Sequence, residues 1–343
     1  MPREPRAMER TENRRSSRRA FLIAAGAWLA LARAGASFAQ QQPAKVARIG
    51  FLGTESASGF TSRVETLRAG LRELGYVEGK NIIIEFRWAE GKNDRLPELA
   101  AELVRLNVDV IVIHATPGTL AAKRATTTIP IVTASMGDAL AVGVVSSLAR
   151  PGGNITGSTY FQPELMAKRI ELLNDAMPRL TQVAVLTNPD NSMTGPILQA
   201  MEVTARSLNV ALHRFEVREP SELEGAFAAM AKRRVDAVVI HEDPRFVVNA
   251  KKIADLAAKQ RLPSIGFGEF TEAGGLIAYG VNFLELYRRA AYFVDRILKG
   301  AKPGDLPIER ATRFELVINR KTAKALKLTI PQQLLVRADK IIE

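Results

Sequence analysis

The sequence predicts an α/β protein built as two doubly wound parallel-sheet lobes joined by a hinge of three chain crossings. Three observations predict it. Short apolar β-branched runs alternate with amphipathic helical stretches along almost the whole chain, which is the pattern of parallel sheets covered by helices on both faces. The plan occurs twice: Val108-Asp-Val-Ile-Val-Ile-His114 returns as Val235-Asp-Ala-Val-Val-Ile-His241, 127 positions on, and the x-Pro entry of Ile129-Pro-Ile-Val132 returns at Leu262-Pro-Ser-Ile265. A folded part of about 300 residues also favours two cores over one.

The first 39 residues read as an export segment. An Arg-rich start leads through Ser17-Arg18-Arg19-Ala20-Phe21-Leu22 into the apolar run Ile23–Ala32, and Ser37-Phe38-Ala39 offers a small-residue cleavage site. Basic, apolar and small-residue regions in that order make a secretory signal, and the paired arginines match a twin-arginine address. The protein is therefore expected in the periplasm, cleaved near Ala39; an ordinary Sec signal or a disordered basic tail are the alternatives.

In the first lobe, Val46–Leu52 is a strand and the small polar residues Gly53–Ser58 a loop. Phe60, Val64, Leu67, Leu71 and Leu74 step at helical spacing, with Gly75 placed to end the helix. Asn81–Phe86 is a strand. Asp94 is a candidate cap for a helix buried through Leu96, Leu99, Leu103 and Leu106. Val108–Ile113 is a buried strand ending at His114, and a helix is expected over about 119–126. Ile129–Ala134 forms the next strand. The spacing of Val142, Val145 and Leu148 predicts a helix from Ala139, stopped by Arg150-Pro-Gly-Gly153, before a new extended run at Asn154–Thr156 crosses to the second lobe.

The second lobe follows the same order. Gln182–Thr187 is a strand, a helix runs to Ser207, Ala211–Val217 is a strand and Glu222–Lys232 a helix. Strands at Val235–Ile240, after Leu262 and at Ile277–Val281 follow. A helix from about Leu284 to Lys299 is expected to pack back on the first lobe. Pro303 and Pro307 mark an extended third crossing, followed by a strand at Arg313–Ile318 and short helical pieces at 321–328 and 331–335. The expected division is 45–157 plus 282–302 for the first lobe and 158–281 plus 308–343 for the second.

Composition narrows the chemistry. There is no cysteine, so disulfides, thiolate nucleophiles and Cys-ligated metals are excluded. The net charge is +12, of which the 39-residue leader carries +5, and the rest is spread without a basic run suited to nucleic acid. No G-x-S-x-G, H-E-x-x-H or Walker loop is present.

Ligands of open parallel sheets bind beyond the carboxyl ends of the strands. Two facing lobes therefore place a cleft among the loops carrying Thr54, Ser56, His114, Thr116, Ser135 and Asp138 on one side and Tyr160, Asn188, Ser192, His241, Asp243, Gly268 and Glu269 on the other. Hydroxyls, glycine and helix-start N–H groups suit a carboxylate. Asp138 and Asp243 suit an ammonium, and Tyr160, Phe161 and Phe267 an aromatic ring. Each has a plainer alternative: Asp138 and Asp243 as helix caps, Phe161 and Phe267 as core, the two histidines as hydrogen-bonded loop residues. One histidine per lobe falls short of a metal site, and no cofactor is expected.

Several blocks resemble one family: Arg48-Ile-Gly-Phe-Leu52, Leu71-Arg-Glu-Leu-Gly-Tyr-Val-Glu-Gly-Lys-Asn81, Leu148-Ala-Arg-Pro-Gly-Gly-Asn-Ile-Thr-Gly157 and Phe314-Glu-Leu-Val-Ile-Asn319 through Thr329-Ile-Pro331. They look like the ABC transporter substrate-binding proteins of the tryptophan/phenylalanine-binding (TrpX-like) type. The resemblance covers nearly all of 45–343. It implies a type I periplasmic-binding-protein fold, a solute clamped between the lobes, a permease partner in the inner membrane, a monomer, and no catalysis. The chain departs from that pattern at Gly137-Asp138-Ala139, where relatives carry Thr-Asp-Pro, and at His241-Glu-Asp243-Pro244, where they carry Pro-Thr-Asp-Asn. The solute class implied is amino-acid-like or small aromatic acid. An exported two-domain enzyme of racemase or hydrolase type, or a sensory binding protein, are the alternatives.

Overall fold

The computed structural model describes residues 46–343; the expected export segment lies outside the described residues. Two separate sheets form the chain. The first has six strands: β1 (Ala47–Gly53), β2 (Ile82–Trp88), β3 (Val110–His114), β4 (Ile131–Met136), β5 (Ile155–Thr159) and β11 (Ile308–Arg310), in the order β11-β5-β4-β3-β1-β2 and all parallel. The second has seven: β6 (Gln182–Thr187), β7 (Ala211–Glu216), β8 (Ala237–Ile240), β9 (Ser264–Gly266), β10 (Ile277–Val281), β12 (Phe314–Asn319) and β13 (Lys340–Ile342). Their order is β13-β12-β10-β9-β8-β6-β7, with β12 antiparallel to β10. Within each sheet the first five strands of the lobe take the same order, so the sequence repeat is a structural repeat: β3 and β8 occupy equivalent places, as do β4 and β9.

The shared Asp of the two repeats has one job in both lobes. The Oδ2 of Asp109 accepts the Arg48 N–H at 2.8 Å, and the Oδ2 of Asp236 accepts the N–H groups of Thr181 and Gln182, both at 2.8 Å. Each carboxylate thereby satisfies backbone donors where the neighbouring strand begins, groups that would otherwise lack a partner.

Alternate strand residues face opposite helix layers. Val110 and Val112 pack with α1 (Thr61–Glu73) and the long helix α10 (Phe283–Leu298); Ile111 and Ile113 pack with α2 (Leu96–Arg105) and α3 (Thr116–Ala125). In the second lobe, Val183 and Val239 meet α4 (Gln162–Ala176) and α5 (Thr194–Ser207). Leu186 and Ile240 meet α6 (Leu223–Arg233), α7 (Pro244–Val248) and α8 (Ala250–Lys259). Short helices α9 (Gly268–Glu272), α11 (Arg320–Ala325) and α12 (Gln332–Arg337) complete the chain.

The chain leaves the first lobe after β5 at Tyr160-Phe161, returns at Asn282 between β10 and α10, and crosses again between Arg310 and Phe314. The last crossing corrects the expected boundary. Residues 308–310, assigned from sequence to the second lobe, pair with Gly157, Ser158 and Thr159 at the edge of the first sheet, as the parallel register with β5 requires. Residues 158–159 belong to that sheet too.

Other differences are local. No helix forms over 139–148: Asp138 folds its carboxylate onto the N–H groups of Leu140 and Ala141, Gly143 takes φ +67°, and Lys123 donates to the carbonyls of Gly143 and Val144. The apolar residues at helical spacing are half-buried against the first-lobe core by a series of turns instead. Asp94 caps nothing; it sits inside a short 3-10 turn, and α2 starts with Leu96-Pro97, where a proline costs no hydrogen bond. Helix α3 starts at Thr116, earlier than its spacing suggests, for the same reason: Pro117 stands in the first turn.

Candidate functional site

The carboxyl ends of β3, β4 and β5 face those of β6, β8 and β10 across a narrow polar cavity. The first lobe supplies Arg63, His114, Ala115, Thr116, Pro117, Ser135 and Gly137, and the second Gln162, Asn191, Glu242, Pro244 and Val247. Tyr160 on the first crossing and Phe283 next to the second complete the lining. The cavity adjoins a smaller recess that shares Pro117, Asn191 and Pro244 and adds Thr54, Glu55, Asn188, Asp243 and Arg245.

His114 ends β3 and is held on both sides. The Thr54 N–H donates to its Nε2 at 3.1 Å, so the ring proton sits on Nδ1 and faces the Tyr287 hydroxyl at 2.8 Å. Burial, with the Arg63 charge adding to it, lowers its pKa to about 3, so the ring is neutral. Phe60 packs edge-on to the ring at 4.1 Å.

Immediately after it, Ala115 adopts φ +62° and ψ 152°, a backbone region that a residue with a Cβ rarely enters. This turn starts α3 at the cavity wall, which Ala115, Thr116 and Pro117 line. The Thr116 hydroxyl accepts the Gly137 N–H at 3.3 Å and ties the β3 and β4 loops together.

Arg63, on α1, is nearly fully buried. Its guanidinium lies 4.1 Å over the Phe283 ring and donates from Nε and Nη2 to the Oε1 of Glu269 at 2.9 and 2.6 Å. Arg245 donates from Nη2 to the Gly91 carbonyl at 3.0 Å. Both contacts run from one lobe to the other, so the cleft is closed.

On the second lobe, Arg169 of α4 lies wholly buried beneath the cavity. It donates to the Tyr279 carbonyl, the Ile240 carbonyl and the Oε2 of Glu242. Gly280 makes room for the pair: a Cβ there would lie 3.1 Å from Arg169 Nη2. Burial raises the Glu242 pKa to about 7 in spite of Arg169. Its Oε1 is buried without a hydrogen-bond partner. Glu55 is also raised to about 7, by burial and then by the Asp243 charge.

Four residues picked from sequence line the main cavity: His114, Thr116, Ser135 and Tyr160. Thr54, Asn188 and Asp243 line the adjoining recess, where Asp243 accepts from Asn188, Asn191 and the N–H of Arg245 and caps α7. The others stand elsewhere. Ser56 bonds to Ser58 at the surface, and Ser192 is exposed. Asp138 is spent on its own turn. His241 is fully buried, does not line the cavity, and has no hydrogen-bond partner on either ring nitrogen. Gly268 and Glu269 line a groove on the other side of Phe283, from which Glu269 reaches Arg63. Phe267 belongs to the core of the second lobe. Arg63, Arg169, Gln162, Asn191, Glu242 and Phe283 were not picked. Asn191 and Glu242 lay within loops the sequence did point to; Arg63 and Arg169 carry no local signal, being arginines in amphipathic helices like their exposed neighbours. Among the described residues no group of His, Asp and Glu is arranged to hold a metal.

Two parallel-sheet lobes closed over a polar cavity at their strand ends define a solute-binding protein of the type I periplasmic kind. Residues 49–342 match the family model described as ABC transporter substrate binding protein, and the chain belongs to that family. A curated relative, a tyrosine-binding protein of Clostridioides difficile, is 26% identical over 259 residues, covering 75% of this chain and 74% of the relative. Among solved structures, a conserved domain protein from Vibrio cholerae superposes with a TM-score of 0.80 at 26% identity, covering 87% of this chain and 100% of that one. An ABC domain in complex with L-Trp from Streptococcus pneumonia superposes with a TM-score of 0.79 at 25% identity, covering 86% and 99%. Membership makes the chain an extracytoplasmic component that hands a small molecule to an ABC permease. Among the described residues no helix is long and apolar enough to cross a membrane.

Proposed function

We propose that this protein captures an aromatic amino acid, or a closely related aromatic solute, in the cavity between its lobes and delivers it unchanged to its permease. The observation that carries the reading is the composition of the closed cavity. The start of α3, a helix N-terminus suited to a carboxylate, stands on the first-lobe wall; an acceptor, Glu242, stands on the second-lobe wall; and the Tyr160 and Phe283 rings, 5.7 Å apart, stand between. A zwitterion with an aromatic side chain uses all three. That relatives are described as tyrosine-binding and as bound to L-Trp supports the solute class. The protein works as a periplasmic monomer, released from a twin-arginine signal near Ala39, and performs no turnover.

Binding acts by mass action on the closed state. Thermal unfolding of the mature protein with single amino acids and aromatic acids tests the class: at a hundredfold excess over Kd the ligand adds about 2.7 kcal/mol of stability. A panel containing tyrosine, phenylalanine and tryptophan in which no member raises Tm rejects it. Incubation with the bound compound, followed by mass spectrometry, tests the absence of turnover, and a labelled spheroplast uptake assay tests delivery.

A further inference from the structure

We infer that the unpartnered Oε1 of Glu242 is the acceptor for the ligand's ammonium group, which makes Glu242 the residue that selects amine-bearing solutes over their deaminated counterparts. The inference rests on the proposed solute class and names the contact that would enforce it.

Glu242 lies in the loop after β8 and lines the cavity, almost wholly shielded from solvent. Its two carboxylate oxygens differ. Oε2 takes Arg169 Nη2 at 3.1 Å, while Oε1 is buried with no partner. A buried acceptor left open is costly, and on a side chain that lines the cavity it marks where a donor is missing. None of the polar side chains that line or underlie the cavity donates to it. Arg169 has its remaining donors on the Tyr279 and Ile240 carbonyls. Arg63, the other cation facing the cavity, is engaged by Glu269 from α9. The Gln162 amide is committed to the Tyr160 hydroxyl and the Glu242 carbonyl.

The charges around Glu242 are two cations, Arg169 from α4 and Arg63 from α1, and two acids: Glu269 from α9, and Asp243 beside it in the loop. Tyr160 and His241 are neutral, their ionisation suppressed by burial. Burial holds the Glu242 proton to about pH 7, so near neutrality the empty site exists in both forms. An ammonium can dock only on the carboxylate. Its binding therefore displaces the proton below that pH, and affinity climbs as pH rises through it. A deaminated acid brings no cation and gains nothing from the ionised form.

The test is titration calorimetry of the mature wild-type protein with tyrosine, phenylalanine and tryptophan and with 3-(4-hydroxyphenyl)propionate and 3-phenylpropionate, at pH 6 in phosphate and in bis-Tris and at pH 8 in phosphate and in Tris. The amino acids should bind about a hundredfold or more tighter than the propionates. Their Kd should weaken about tenfold per pH unit below about 7, with close to one proton released at pH 6 and few at pH 8. Glu242→Gln should lower the ratio of amino-acid to propionate affinity by about thirtyfold or more. The proton count is read on the wild type and does not depend on that variant folding. Amino-acid binding with equal Kd at pH 6 and 8 and no proton release, or propionates binding as tightly, overturns the assignment and leaves the solute class standing. If no compound binds the wild type, the solute class falls and the assignment with it.

Discussion

Arg63 and Glu269 join the two lobes through two hydrogen bonds to a single carboxylate oxygen, at 2.9 and 2.6 Å. The two partners are unequal: the Arg63 side chain is 5% exposed and that of Glu269 29%. Removing the acid strands a buried guanidinium, whereas removing the arginine frees a carboxylate that can reach water. Breaking a buried pair from that side costs about 3–5 kcal/mol at full burial, and less here because Glu269 is partly wet. Glu269→Ala should therefore open the ligand-free protein, read as a larger radius of gyration in small-angle scattering. Arg63→Lys should open it less. Equal compaction of wild type and Glu269→Ala would show that the contact does not hold the lobes together.

Closure also depends on a residue with no side chain. Gly59, in the first lobe, lies against Val248 at the end of α7 in the second, and a Cβ on Gly59 would stand 2.1 Å from Val248 Cγ1 and 2.6 Å from its Cβ. A valine branched at that carbon cannot swing clear. Each lobe on its own loses nothing, so Gly59→Ala should leave unfolding of the ligand-free protein near the wild-type value. Ligand affinity should fall about tenfold or more, because the closed state is penalised. Unchanged affinity by calorimetry would count against a tight fit at this place.

The buried titratable groups give stability a distinctive pH profile. His114 and His241 are held neutral, with pKa values lowered from 6.5 to about 3 and about 4, mainly by burial. Each withholds a proton that the unfolded chain takes up, so their contribution is complete above 6.5 and drains away as pH falls toward those values. Glu55 and Glu242 run the other way. Raised from 4.5 to about 7, they hold protons that the unfolded chain releases, so their contribution is present below 4.5 and lost as pH rises through 7. Between 4.5 and 6.5 the two trends offset each other. Glu55→Gln removes one of the carboxyls. Its stability relative to wild type should be about zero below pH 4.5 and grow to on the order of 2–3 kcal/mol by pH 7.5. Urea denaturation of both proteins from pH 4 to 8 measures this, and a flat difference would remove Glu55 from the account.

Much of the fold is legible because buried parallel strands and amphipathic helices leave periodic marks. The repeat of Val-Asp-x-Val/Ile-Val-Ile-His carried the duplication in plain sight, and its Asp proves to brace strand starts in both lobes. The failures have a common cause. Val142, Val145 and Leu148 match a helix by spacing, yet a side chain before them, Asp138, and a left-handed Gly143 decide for turns. Periodicity records burial, and turns can bury residues too. The site was less legible still. Loops at strand ends were identifiable by order alone, but which residue in a loop faces the cavity depends on local rotation. Thus Glu242 lines it while its neighbour His241 packs inward. Arg63 and Arg169 come from helix positions that read as surface, and only the tertiary arrangement buries them.

Ala115 illustrates a feature that no sequence pattern announces. Alanine gives no hint of a left-handed turn, yet this residue stands at φ +62° between β3 and α3, where glycine would be at ease. Holding it there costs of order 1–3 kcal/mol, while a glycine would lose about 0.4–1 kcal/mol more in ordering the unfolded chain. Relief exceeds that loss, so Ala115→Gly should raise stability by about 1 kcal/mol, opposite to the usual sign for Ala→Gly. The same strain sets how α3 enters the cavity wall, and a residue free to relax sets it less firmly. Ligand affinity should therefore drop by about two- to fivefold even as Tm rises. Chemical denaturation and calorimetry on one preparation of the variant read both effects, and a fall in stability would show that the surrounding packing, and not strain, dominates at this turn.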